Sequence, residues 1–210
     1  MKFNHIAVEG PIGVGKSTLA KALASHYQAR FLPDTDVSNP FLKLFYSNPA
    51  KIALQTQLFF LVSRLKALDE ANVSIGSGPT VADFMLEKDR LFAQLTLDET
   101  EWWMYQELFE RATKDAPKPD LVVYLQAPLE VLIQRIAKRG LKHEQRIDSA
   151  YLQQLIKLYE QYFHDYTAGA LLIVNAADIN FADNPADLKH LLEQIDSVDS
   201  GRHFVNPAVA

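Results

Sequence analysis

Gly10-Pro11-Ile12-Gly13-Val14-Gly15-Lys16-Ser17-Thr18 follows an apolar segment, Phe3 to Val8, and runs directly into a helical pattern. It has the G-x-x-x-x-G-K-[ST] form in the strand–turn–helix setting that form requires. Its glycines let the backbone turn tightly, so that successive N–H groups converge on an anion, and the positive end of the following helix adds to the same field. In such a loop Lys16 reaches the outer phosphates of a nucleotide and the Ser17 hydroxyl binds Mg²⁺. The plainer alternative is a glycine turn without a ligand. The strand, the spacing and the helix together favour the phosphate loop, and they place the chain among α/β folds.

The rest of the chain repeats the alternation. A helix is expected over 17–27, a short strand near 29–32, a turn-rich segment through Pro33-Asp34-Thr35-Asp36-Val37-Ser38-Asn39-Pro40, and a short helix over 41–46. Leu54, Leu58, Leu61, Leu65 and Leu68 form one apolar stripe, which predicts a long helix over 50–71. Gln57 and Arg64 lie seven apart on it, two turns and close to one line. A third strand over 80–84 carries Asp83 at its end, with helices over 86–94 and 98–114. A fourth strand over 120–126 is a continuous apolar run of the kind buried in parallel sheets. A helix over 129–139 ends at Gly140, a polar lid-like stretch follows over 141–148, then a helix over 150–166, a fifth strand over 171–174 and a last helix over 185–195.

This pattern predicts a five-stranded parallel sheet with helices on both faces and a small lid. The site then lies at the carboxyl ends of the strands, where Gly10, Asp34 and Asp83 share an edge. One domain is expected over 1–196 with its lid at about 140–148. Residues 197–210 lack periodicity and read as a flexible tail.

Composition narrows the classes. The 210 residues are 48% hydrophobic and 22% charged, with a net charge of −5 and no basic stripe, which argues against a nucleic-acid polymer as partner. Without cysteine there is neither disulfide nor thiolate chemistry. No signal peptide or long apolar span opens the sequence, so the expected location is the cytoplasm, away from membrane.

Phosphoryl transfer needs positioned charge more than covalent chemistry. Asp83 is the first choice for a metal-side carboxylate, with Glu9 as competitor and a helix N-cap as the plainer role. Asp34 or Asp36 could accept a proton from an attacking hydroxyl, although loop aspartates also make turns. Arg135 and Arg139, four apart beside a lid holding Lys142 and Arg146, could steady transferring phosphate or could be a solvated basic face. Gln57, Arg64 and Asp89 offer donors and acceptors suited to a flat heterocycle, and Phe92 a ring to stack on it; salt bridging between helices would use the same groups.

Taken in order, these residues resemble the deoxynucleoside kinases, in particular the bacterial deoxyadenosine/deoxyguanosine kinase type. The match runs from Val8-Glu9-Gly10 through Asn39-Pro40-Phe41-Leu42 with Phe45-Tyr46, then Gln57 and Arg64, Asp83 and Asp89, Arg135 to Arg139-Gly140 and Glu144, to the loop 175–183. The resemblance implies transfer of the ATP γ-phosphoryl to the 5′-hydroxyl of a deoxynucleoside, a purine in preference, with Mg²⁺. It assigns Asp34 as proton acceptor, Lys16, Arg135 and Arg139 to the phosphates, and Tyr46 and Glu144 to the sugar 3′-hydroxyl. It gives Gln57, Arg64, Asp89 and Phe92 to the base, and the loop 175–183 to the adenine of ATP. Homodimers are implied too, with the helices over 50–71 and 98–114 as candidate surfaces. Three positions depart from the pattern. Phe84 and Met85 stand where the family commonly has arginine and serine, and Leu141 replaces a lid arginine. A thymidylate-kinase-like nucleoside monophosphate kinase and a catalytically degenerate nucleotide-binding regulator remain as alternatives.

Overall fold

The computed structural model describes residues 2–34, 39–71, 73, 78–141, 144–179, 181 and 184–206. Strand β1 (His5–Glu9) feeds α1 (Lys16–His26), and β2 (Arg30–Leu32) leads to the short α2 (Leu42–Phe45) and the long α3 (Pro49–Glu70). Then come β3 (Thr80–Ala82), α4 (Glu87–Thr96), α5 (Glu99–Thr113), β4 (Leu121–Gln126) and α6 (Leu129–Arg139). A 3-10 turn at Glu144–Arg146 precedes α7 (Ser149–His164), β5 (Ala170–Asn175), α8 (Pro185–Ser197) and β6 (Arg202–Val205).

The strands lie in the order β2-β3-β1-β4-β5-β6, and every neighbouring pair is parallel. All five residues of β1 and the first five of β4 are buried. Because successive side chains point to opposite faces, burial without alternation means that helices cover both faces. One apolar core joins the strands to α1, α6, α7 and α8; a second lies among α3, α4 and α5 with Leu32 and Ala82. Each fully buried leucine, such as Leu132 or Leu155, contributes about 1.5–3 kcal/mol.

The sheet has six strands rather than five, because residues 202–205 of the expected tail pair with β5, Leu171 opposite Arg202 and Val174 opposite Val205. Four residues at a sheet edge carry too little pattern to stand out: only Val205 is buried, and Phe204 remains 68% exposed.

Local chemistry sets several boundaries. Asp98 and Glu101 form a capping box on α5, with Asp98 Oδ1 accepting from the Thr100 and Glu101 amides at 2.9 Å each. Gly140, at φ +71°, ends α6 in the left-handed conformation just after Arg139. Among the described residues no helix is long and apolar enough to cross a membrane.

Candidate active site

At the carboxyl end of β1 the chain turns through residues 10–15 into α1. Gly10 has φ +147°, and a Cβ there would stand 2.5 Å from the Leu125 carbonyl oxygen, so the turn is seated directly against β4. No acidic side chain occupies the first turn of α1 and no side chain caps it, which leaves the positive end of the helix for an anion. Lys16 Nζ donates to the carbonyls of Gly10 (2.8 Å) and Pro11 (3.1 Å), so the ammonium lies across the loop it would serve.

Glu9 has a different task from the one weighed for it. Its side chain is fully buried; Oε1 accepts from the Gly10 amide (2.9 Å) and the Tyr159 hydroxyl (3.0 Å), and Oε2 from the Met85 amide (3.0 Å). This carboxylate braces the loop from behind. Asp83, 3% exposed, stands on the cleft side, where it accepts from the Ser17 hydroxyl and the Asp34 amide. Burial raises its pKa, and the Ser17 hydrogen bond opposes that rise.

Asp34 is held by cations. Its carboxylate receives Arg64 Nε at 2.9 Å, Arg64 Nη2 at 2.8 Å and Lys88 Nζ at 2.5 Å. Burial pushes its pKa up, but the Arg64 guanidinium and Lys88 ammonium more than reverse this and hold it well below the ordinary carboxylate range. Arg64 reaches in a second direction too: its Nη1 pairs with Asp89 Oδ1. Phe60 and Phe84 lie under the guanidinium, their ring centres 4.9 and 5.8 Å from its carbon. Asp89 Oδ2 is buried without a hydrogen-bond partner, and burial, opposed by Arg64, pushes the Asp89 carboxyl up to about 7. Gln57 Nε2 donates to Thr96 Oγ1 at 3.2 Å, which ties the amide of α3 to α4.

The lid side is formed from α6 and the turn after it. Arg139 pairs with Glu144 Oε1, while Glu144 Oε2 is buried without a partner. Arg135 donates to the Val14 carbonyl (3.1 Å) and to those of Ala176 (2.7 Å), Ala177 (3.1 Å) and Ile179 (3.2 Å). It therefore ties the phosphate loop to the segment after β5.

These elements enclose a cleft of about 520 Å³. Ile12 to Thr18, Asp34, Tyr46, Gln57, Arg64, Asp83, Phe92, Arg135, Arg139 and Glu144 all line it, so the residues singled out from the sequence converge. Gly10 and Pro11 are not among the lining residues, nor is Asp89, which pairs with Arg64. Asp36, Lys142, the Arg146 side chain and residues 180, 182 and 183 of the loop 175–183 fall outside the described residues. Phe84, at the position of the family arginine, is 1% exposed and packs in the second core. Lys88, which the sequence did not single out, lines the cleft. Within the run Glu87-Lys88-Asp89-Arg90 nothing distinguishes it from a solvated charge.

One end of the cleft can thus take a phosphate chain and the other a flat polar heterocycle, with a carboxylate between them. The description "Deoxynucleoside kinase" belongs to the family model that matches residues 6–199. The chain is 38% identical over 157 residues to a deoxyguanosine kinase of Bacillus subtilis (strain 168), covering 74% of this chain and 76% of the relative. It is 31% identical over 205 residues to a deoxyadenosine kinase of Lactobacillus acidophilus, covering 91% and 94%. The deoxyadenosine kinase of M. mycoides solved with bound dATP superimposes with a TM-score of 0.80 at 24% identity, covering 92% of this chain and 99% of that one. The chain belongs to the deoxynucleoside kinase family. It is accordingly an ATP-dependent phosphotransferase with a deoxynucleoside as acceptor.

Proposed function

We propose that the chain phosphorylates the 5′-hydroxyl of a purine deoxynucleoside in the cytoplasm, with Asp34 as proton acceptor. Attack of the 5′-oxygen on the γ-phosphorus forms the new P–O bond, and the bond to the β–γ bridging oxygen breaks. ADP and the deoxynucleoside monophosphate result, and the hydroxyl proton passes to an Asp34 carboxylate oxygen. Lys16 and Arg139 face the transferring phosphates, and Arg135 holds the walls of the donor end in place. The observation that carries the reading is the position of Asp34, between the phosphate loop and the Arg64–Asp89 pair that would read a base.

Mg²⁺ fits the residues present. Asp83 and the Ser17 hydroxyl that bonds to it would hold the ion, and no cluster of three or more His, Cys, Asp or Glu competes among the described residues. One carboxylate and one hydroxyl, completed by phosphate and water oxygens, is the usual Mg²⁺ set. The ion would neutralise phosphate charge. Glu144 Oε2 and Asp89 Oδ2, both buried without partners, support the acceptor side: the first suits the 3′-hydroxyl beside Tyr46, the second a donor on the base. A purine is favoured by the deoxyguanosine and deoxyadenosine kinases among the relatives. A second copy of the chain would cover Val62 on α3 and Trp103 on α5, 63% and 64% exposed.

Turnover of the deoxynucleosides and their monophosphates with Mg·ATP tests the reading. Deoxyadenosine or deoxyguanosine should yield the monophosphate, and Asp34→Asn should lower kcat by about 10²–10⁴-fold. Phosphorylation of monophosphates only, or near-normal turnover by Asp34→Asn, would sink it.

A further inference from the structure

We infer that Lys88 is a positioning residue for phosphoryl transfer: its ammonium anchors the Asp34 carboxylate at the meeting point of donor and acceptor. The inference rests on the reading of Asp34 as proton acceptor.

Lys88 is 5% exposed and sits in the first turn of α4, where the helix dipole disfavours a cation. A buried ammonium at that end of a helix works against stability unless a carboxylate offsets it. The carboxylate is that of Asp34, on the loop after β2 and 54 residues away in sequence. The Lys88 stem places Nζ 5.7 Å from the centre of the Phe92 ring and within the same cleft as Lys16, Ser17 and Asp83. Position 84 cannot supply this charge, since Phe84 is packed in the core.

Asp34 faces Arg64 from α3, Lys88 from α4, and the like charges of Asp83 and Asp89. Arg64 is shared with Asp89, so a base that draws on Arg64 or Asp89 loosens the guanidinium's hold on Asp34. Lys88, bonded to Asp34 from a different helix, keeps the carboxylate aimed at the 5′-oxygen while the guanidinium attends to the base. Lys88 donates throughout and transfers no proton.

Steady-state kinetics of Lys88→Met, Lys88→Arg, Asp34→Asn and the Asp34→Asn/Lys88→Met double variant test this. Lys88→Met should lose about 100-fold in kcat, the scale of a misplaced reacting group, with the KM for ATP within about twofold of wild type. Lys88→Arg should recover most of the loss. In the Asp34→Asn background the methionine should cost nothing further, because its effect passes through Asp34. If Lys88→Met keeps kcat within about threefold, or if the two losses multiply in the double variant, the inference is overturned. Should Lys88→Met fail to fold, Lys88→Gln in the same pair of backgrounds reads the same coupling. An active Asp34→Asn enzyme overturns the Asp34 reading instead, so the two failures are distinct.

Discussion

Asp89→Asn removes a single titrating proton from the wall behind Arg64 while nearly preserving shape. Asp89 is 1% exposed, and its carboxyl is pushed up from 3.8 to about 7. Burial is the main cause; Arg64 and Lys88 oppose it, and Asp34 and Glu9 reinforce it. The folded protein keeps this proton between those two pH values while the unfolded chain releases it. Stability therefore falls as pH rises through that window and levels off above about pH 7. Two of the units lie between about pH 5 and about pH 7, which at roughly 1.36 kcal/mol each is about 3 kcal/mol. For a chain of this size that corresponds to a Tm change of about 6–12 °C. The variant cannot titrate at position 89, so its Tm relative to wild type should climb by that amount over the same interval. Calorimetry on both proteins across the range supplies the measurement. Asp34 does not interfere: its lowered pKa gives stability that is already complete above its unfolded value and is lost only in more acid solution. His5, lowered to about 4 by burial, adds stability as pH rises toward 6.5, and being common to both proteins it cancels. A Tm difference that stays flat with pH would mean that Asp89 is ionised throughout, and the reasoning would fail.

Two further outcomes are expected. Arg135→Met cuts the guanidinium that joins Val14 to the carbonyls of Ala176, Ala177 and Ile179, so the KM for ATP should rise about tenfold while that for the nucleoside barely moves; equal changes in both would contradict a donor-end role. Trp103→Glu places a charge on the exposed apolar surface of α5 and should convert a dimer to monomer in analytical ultracentrifugation, whereas an unchanged mass would locate any self-association elsewhere.

Most elements were legible because burial imposes a period: the leucine stripe of α3 and the continuous apolar runs of β1 and β4 leave little choice of structure. Strand β6 was not, since its stability comes from pairing with β5 and not from its own four residues. The glycine-rich turn from β1 into α1 was legible for a related reason, in that its geometry is local and its residues are consecutive. The contacts of Glu9, Lys88 and Arg64 were not. Whether Glu9 braces the loop or meets a metal depends on the side from which Tyr159 and Met85 approach it. Whether Lys88 is solvated depends on Asp34, just after β2, meeting it from 54 positions away in sequence. The sequence places Arg64 toward a base, and only tertiary distance reveals that the same guanidinium also grips Asp34.

The buried carboxylate of Glu9 also fixes where the phosphate loop can bend. A glycine-rich turn is ordinarily pliable from its first residue, yet here the Gly10 amide is bonded to an oxygen that solvent does not reach. Exchange of that amide with deuterated water therefore requires Glu9 to leave the interior, an opening that would also break its bonds to Tyr159 of α7 and to Met85 after β3. A bend of the loop that leaves this bond intact would fall beyond Gly10, within residues 11–15. A nucleotide phosphate held there, as proposed, would rest on a floor bonded to the sheet and to α7.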